Sequence, residues 1–196
     1  MKIGIIGCGL IGAKRAAAGG GAQVVSATDL NPERARDLCA RFGGQPTEDW
    51  HGVLASDAEM VVIAVTHDQL ASLALEALAA GKHVLLEKPG ARRAEELEPV
   101  AELADRKGLW VKVGFNHRYH PALQQAKKLV DQGLLGPLYY LRGRYGHGGR
   151  VGYEREWRFD PAISGGGELL DQGSHLIDLA HWFLGDFSKV QGYLPR

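Results

Sequence analysis

Three residues carry the spacing most suggestive of chemistry: Lys88, Asp171 and His175. Lys88 stands in the tripeptide Glu87-Lys88-Pro89, directly after the short apolar run His83–Leu86. A lysine at the carboxyl end of such a strand can donate a hydrogen bond or a proton to a substrate oxygen, and the proline after it fixes the direction of the chain. Asp171 and His175 are four residues apart in a stretch that follows the triplet Gly165-Gly166-Gly167. On a helix that spacing places both on one face, with Asp178 three residues further on. A histidine with a carboxylate one turn away is a suitable general acid/base, its charged form stabilised by the carboxylate. The plainer readings are a solvated surface lysine and a structural His–Asp pair. His181 has only spacing to recommend it and is assigned to structure.

A second constellation lies at the start of the chain. Gly7-Cys8-Gly9-Leu10-Ile11-Gly12 sits between a short apolar strand and a helix, and Asp29 closes the next strand. In a dinucleotide-binding turn the first glycine permits the tight bend, the second lets the backbone approach a pyrophosphate, and the third allows close helix–strand packing. The helix N-terminus supplies N–H groups and a positive dipole end. Asp29 is placed to accept hydrogen bonds from ribose hydroxyls and repels a 2′-phosphate, so NAD is favoured over NADP, although Arg34 or Arg36 could still reach a phosphate. Thr66, after the apolar run Met60–Val65, joins Gly7, Gly9, Leu10, Ile11, Gly12 and Asp29 in the expected cofactor set. Cys8 reads as a small packing residue. No ligand set for a metal stands out.

These residues need a scaffold, and the chain spells one. Strand-like Lys2–Ile6, Gln23–Thr28, Met60–Val65, His83–Leu86 and Trp110–Val113 alternate with helix-like Leu10–Ala18, Asn31 to Gly43, Gln69 to Ala80 and Ala94–Lys107. Continuous apolar runs of this kind are buried on both faces of a parallel sheet. The expectation is an α/β fold: an N-terminal Rossmann domain with a doubly wound parallel sheet over residues 1–120, followed by an incomplete α+β domain over residues 121–196. In that second part the sequence predicts a helix over Pro121–Asp131, a turn from Gly133 to Pro137, a half-exposed strand over Leu138–Tyr145, a helix over Leu169–Leu184 and a last strand at Val190–Leu194. Two strands cannot cover so apolar a helix, so the second domain reads as unfinished.

Bulk composition sets limits on partners. The 196 residues carry 23 Lys+Arg against 23 Asp+Glu, so nothing attracts nucleic acid or an anionic membrane by net charge. Lys127-Lys128 reads as a solvated helix face. The apolar runs are too short to span a bilayer, and the first residues show no cleavage pattern. Two cysteines do not make a disulfide framework, which suits the cytoplasm.

Taken together, Gly7–Gly12, Asp29, Glu87-Lys88-Pro89, Gly114-Phe115-Asn116-His117-Arg118, Trp157-Arg158 and the run from Gly165 through Asp171 and His175 to Asp178 resemble the glucose–fructose oxidoreductase, inositol dehydrogenase and rhizopine catabolism (Gfo/Idh/MocA) family. The resemblance covers the whole chain in family order. It implies an NAD(P)-dependent oxidoreductase acting on a sugar, inositol or nucleotide sugar, with Lys88 and His175 beside the reacting carbinol and Asp171 orienting or assisting. It also implies cofactor contacts at Glu87, Lys88 and Asn116, and substrate contacts at Arg118, Trp157 and Arg158. Homo-oligomerisation would run through a large antiparallel sheet. Family members are usually much longer, so the expectation is a truncated product, a fragment or a shortened relative. The rival reading is a non-catalytic dinucleotide-binding or assembly module; a redox-sensing transcription factor lacks any DNA-binding segment. Substrate choice would fall to residues 143–158, where Arg144, His147, Arg150, Tyr153 and Arg155 could favour an anionic substrate or simply be exposed loop charge.

Overall fold

The structure, a computed structural model, describes residues 1–146, 149 and 151–193. Its first part alternates strands and helices as the apolar periodicity predicts. β1 (Lys2–Ile6), α1 (Leu10–Ala17), β2 (Gln23–Thr28), α2 (Pro32–Phe42), β3 (Gln45–Pro46), α3 (Trp50–Ala55), β4 (Met60–Ile63), α4 (His67–Ala79), β5 (His83–Leu86), α5 (Glu98–Lys107) and β6 (Val111–Val113) follow one another. The six strands form one sheet in the order β3-β2-β1-β4-β5-β6, and every pairing is parallel. The order reverses beside β1, so the carboxyl ends of β1 and β4 flank the crevice where ligands of open α/β sheets bind.

Local chemistry explains the boundaries. Asn31 caps α2 by accepting from the Glu33 N–H, and Pro32 occupies the first helical position. Asp49 caps α3 by accepting from the N–H groups of His51 and Gly52. Neither β3 nor α3 is visible in the hydrophobic pattern, since β3 is a two-residue edge and α3 has a single buried residue, Val53. The predicted helix over Ala94–Lys107 is broken: a 3₁₀ turn (Ala94–Glu96) precedes α5, which carries Pro99 in its first turn. The core lies in two layers. Ile63, Leu70, Leu78, Val84, Leu86 and Val100 pack on one face of the sheet, and Ile3, Ile5, Val24, Leu38 and Val62 on the other.

After β6 the chain departs from expectation. A 3₁₀ turn (Asn116–Tyr119) leads into α6 (Pro121–Asp131), whose N-terminus is capped by His120. Residues 138–145 form no strand, nor do residues 190–193, while Leu194 lies outside the described residues, as do His147 and Arg150. Among the described residues neither alternating stretch has a neighbouring strand to exchange ladder hydrogen bonds with, and alternation alone does not make a strand. Among the described residues, the second part is therefore helical and irregular. It contains 3₁₀ turns at Tyr153–Arg155 and Trp157–Phe159, then α7 (Pro161–Ser164), a π-helical turn (Leu169–Gly173) and α8 (Ser174–Leu184). Lys127 is half-buried, pairing with Asp131 and sitting 5.9 Å from the Trp182 ring centroid, while Lys128 is exposed as a solvated helix face would be. Among the described residues no helix is long and apolar enough to cross a membrane.

Candidate functional site

The glycine turn is built by close approach. Gly7 has φ +93°, and a Cβ there would lie 2.3 Å from the Ala64 carbonyl oxygen. A Cβ on Gly12 would lie 1.9 Å from the Gly7 carbonyl oxygen, so α1 could not pack so tightly under any other residue. Gly9, by contrast, faces open space, and no side chain caps the first turn of α1. The orphan N–H groups of that turn therefore remain open to an anion, and a pyrophosphate fits the opening. Leu10 and Ile11 are exposed at the same mouth. Asp29 is held beside the turn: its carboxylate accepts from the Cys8 N–H at 2.7 Å and the Asn31 N–H at 2.9 Å. Arg34 lies 3.8 Å from Asp29, whereas Arg36 is paired with Glu33. Cys8 is buried with its Sγ 3.3 Å from the Thr28 carbonyl oxygen, and burial pushes its thiol up to about 12. Such a thiol is a packing group, not a nucleophile. Thr66 precedes α4 as its N-cap residue, at the carboxyl end of β4.

Glu87, Lys88 and Pro89 leave the end of β5, with the Lys88–Pro89 peptide in the cis form. Glu87 is buried, and its carboxylate pairs with Arg15 of α1. Arg15 also donates to the Gly114 carbonyl oxygen at 3.2 Å. Lys88 Nζ bonds to the Asp171 carboxylate and to the Asp171 carbonyl oxygen at 2.7 Å. The elements brought together here are 83 residues apart in the chain, which is the work of the fold and not of local sequence.

Asp171 is the hub of the site. It is 1% exposed and is approached by Lys88, by Arg158 Nε at 2.9 Å, by Gln172 Nε2 at 3.2 Å and by His67 Nε2 at 3.7 Å. Burial alone would raise its pKa, but His67, Lys88 and Arg158 overcome that and hold the carboxyl well below the usual carboxylate range. His67, whose Nδ1 lies 2.8 Å from the Ser164 carbonyl oxygen, gave no signal in the sequence beyond being a polar residue at a helix start.

His175 corrects the expected His–Asp pair. It shares the buried face with Asp171 and Asp178, yet neither carboxylate is hydrogen-bonded to it, because Asp171 is engaged by Lys88 and Arg158 and Asp178 by Arg118. Its ring packs on His117 instead, with centroids 3.9 Å apart. Burial first, then His117 and Lys88, lower the imidazole to about 4 against the opposing pull of Asp171 and Asp178. At neutral pH the ring is therefore neutral and proton-accepting, opposite to a carboxylate-stabilised imidazolium.

The expected substrate contacts are also differently employed. Arg118 grips Asp178 with Nε at 2.8 Å and a second nitrogen at 2.5 Å, a bidentate pair. Arg158 is shared between Asp171 and Glu156, and lies 4.6 Å from the Trp157 ring centroid. Trp157 meets His67 edge to face at 4.7 Å. Asn116 is exposed at the start of its 3₁₀ turn, within the segment that Arg15 ties to Glu87 through Gly114. Beside Arg158 a recess of about 140 Å³ is lined by Phe159, Pro161, Ser164, Gly167 and Glu168. Among the described residues no group of three histidine, cysteine or acidic side chains could hold a metal ion.

Comparison with known proteins settles the lineage. Residues 1–115 match the model of an oxidoreductase family with an NAD-binding Rossmann fold, GFO_IDH_MocA, and residues 123–196 match the GFO/IDH/MocA C-terminal domain. The chain belongs to the GFO/IDH/MocA family. Its first 115 residues are that family's NAD-binding Rossmann domain. Among its relatives, levoglucosan dehydrogenase of Pseudarthrobacter phenanthrenivorans is 35% identical over 170 residues, covering 85% of this chain and 44% of that protein. Inositol 2-dehydrogenase of Salmonella typhimurium is 31% identical over 205 residues, covering 100% of this chain and 58% of that protein. Among solved structures, levoglucosan dehydrogenase in complex with NADH and levoglucosan superposes with a TM-score of 0.85 at 32% identity, covering 96% of this chain and 55% of that one. The GFO/IDH/MocA chain described here thus spans about half the length of the curated relatives it matches.

Proposed function

We propose that the protein acts as an NAD-dependent dehydrogenase, moving a hydride between the nicotinamide and a secondary-alcohol carbon of a sugar or polyol. The observation that carries this reading is the convergence of Lys88 Nζ, fixed by buried Asp171, with the neutral imidazole of His175 at the carboxyl edge of the sheet. NAD, when bound, supplies the hydride acceptor, and the protein's part is to orient and to handle the proton. His175 in its neutral form takes the hydroxyl proton, while Lys88 polarises the oxygen and Asp171 keeps Lys88 aimed. Gly7, Gly9, Gly12, Leu10 and Ile11 would receive the pyrophosphate, Asp29 the ribose, and Thr66 and Asn116 the edge of the same crevice. NAD is favoured over NADP because the Asp29 carboxylate, held beside the glycine turn by the Cys8 N–H, would repel a 2′-phosphate.

Charge matching favours a neutral substrate over the anionic alternative. Among the described residues the cations nearest the site already have anions: Lys88 and Arg158 on Asp171, Arg158 again on Glu156, and Arg118 on Asp178. Residues 1–120 are read as the cofactor domain and 121–196 as part of the substrate domain, a division supported by family matches that break between 115 and 123. Homo-oligomerisation belongs to the same reading, supported by the exposed apolar side chains of Tyr139, Tyr140, Ile177 and Leu184. A cytoplasmic setting is supported by two buried, unpaired cysteines. The test is NADH formation with myo-inositol, levoglucosan, a uronate and a nucleotide sugar. Turnover with the neutral compounds is expected. NADH binding without turnover on any of them would leave the non-catalytic module as the better account.

A further inference from the structure

His117 has no part in the chemistry outlined above, and yet it makes the closest ring contact of the site. The inference drawn from it rests on the dehydrogenase reading only for its meaning in catalysis. His175 is 5% exposed, and its Nδ1 is buried without a hydrogen-bond partner among the described residues. Its ring lies 3.9 Å from that of His117, centroid to centroid, at an interplanar angle of 41°. Phe115 closes a further side edge-on at 6.1 Å, and Tyr145 stands 6.4 Å from His175 and 5.6 Å from His117. His117 is half-buried, so of the two rings it is the one nearer solvent.

We propose that His117 is a positioning residue for proton transfer, forming with His175 a tilted imidazole pair that carries at most one positive charge and leaves His175 as the accepting ring. Two like charges at this separation, in surroundings less polarisable than water, repel strongly. The groups facing the pair come from every element packed on it. Lys88 approaches from the end of β5, His120 from the turn before α6, Tyr145 from the irregular segment, Asp171 from the π turn and Asp178 from α8 itself. The carboxylates act upward and the cationic groups downward; burial adds to the latter, and both imidazoles end below their ordinary value. Asp171 and Asp178 are each spoken for by other cations, so neither cancels the effect of His117.

The test follows the His175 ring of the full chain by histidine NMR across pH, assigned by the signal lost in His175→Gln, in parallel with the pH profile of kcat/KM. His117→Phe keeps an aromatic ring beside His175 without a titrating group, and His117→Asn removes both ring and charge. In both variants the His175 midpoint is expected to rise by about half a pH unit or more. The acid limb of kcat/KM should move with it while NADH affinity stays constant. An unmoved His175 midpoint in a variant whose amide spectrum remains dispersed would overturn the proposal. If the midpoint moves while neither wild type nor variant oxidises any polyol, the pairing stands and the dehydrogenase reading fails.

Discussion

The Arg15 guanidinium binds the carboxylate of Glu87, the residue immediately before Lys88, and so links the helix of the glycine turn to the strand end that carries the lysine. Both side chains are largely buried, at 22% and 11% exposed. A surface pair contributes about 0–1 kcal/mol, whereas breaking a buried one costs about 3–5 kcal/mol. Arg15→Ala should therefore lower unfolding free energy by roughly 2 kcal/mol. The double variant Arg15→Ala/Glu87→Gln should recover part of that loss, because no carboxylate is then left buried and unpaired. Urea denaturation of the four proteins of the cycle measures it, and strictly additive losses would show that the pair is not coupled.

In the proposed reaction Lys88 donates to the reacting oxygen, and Lys88→Ala removes that donor. Loss of such a donor costs about 2.7–4 kcal/mol of transition-state stabilisation, roughly a hundred- to a thousandfold in kcat. NADH titration followed by fluorescence should give an unchanged affinity, since Lys88 is tied to Asp171 and not to the glycine turn. Turnover within a few-fold of wild type would reduce Lys88 to a structural cation for Asp171.

Asp29 has two duties that a substitution can separate. Its carboxylate accepts from the Cys8 and Asn31 N–H groups, and in the proposed complex it would also receive the ribose hydroxyls. Asp29→Ala should weaken NADH binding by about tenfold to a hundredfold, the range for one or two hydrogen bonds to a charged acceptor. Asp29→Asn keeps one acceptor oxygen for the turn and removes the charge, so it should narrow the preference for NAD over NADP with less loss of thermal stability. Equal NAD and NADP affinities in the wild type would contradict the role given to Asp29.

Acid should destabilise the fold in two stages. His175 holds a proton near pH 4 when folded and near 6.5 when unfolded, so between those values the unfolded chain binds more protons and stability falls as pH falls. The Asp171 carboxyl is depressed in the fold, so its contribution is present above about pH 3.9 and is lost below it. His175→Gln should flatten the first stage and leave the second. Urea midpoints measured from pH 7 to pH 3 decide this, and a wild-type curve that is level from 6.5 to 4 would refute it.

The sheet was legible because its strands are short, largely apolar runs ended by glycine or by a polar residue, and because Asn31, Pro32 and Gly108 mark helix ends through local backbone chemistry. The pairing of Lys88 with Asp171 was foreshadowed only by residue type; their contact spans 83 positions, and no periodicity reports that. The strand expected at 138–145 failed because alternation describes a face, not a partner strand. The expected His175–Asp171 pair failed for an electrostatic reason: a carboxylate already matched by lysine and arginine has little to offer a neighbouring imidazole. His67 went unread, since a histidine at a helix start looks the same whether it meets solvent or a buried carboxylate 104 residues away.

The π-helical turn at Leu169–Gly173 gives the site an unusual vulnerability to chain length. Such a turn holds one residue more than the regular helix around it. Shortening it by one residue would let the segment relax into continuous α-helix, and each residue of an α-helix advances the side-chain direction by about 100°. Residues inside the turn, Asp171 among them, would then change direction relative to Lys88 and Arg158, although no residue of the cluster had been replaced. Deletions within Leu169–Gly173 should thus be far more damaging than substitutions at its exposed Leu169, a sensitivity to indels in place of point changes that variant libraries covering this turn would expose.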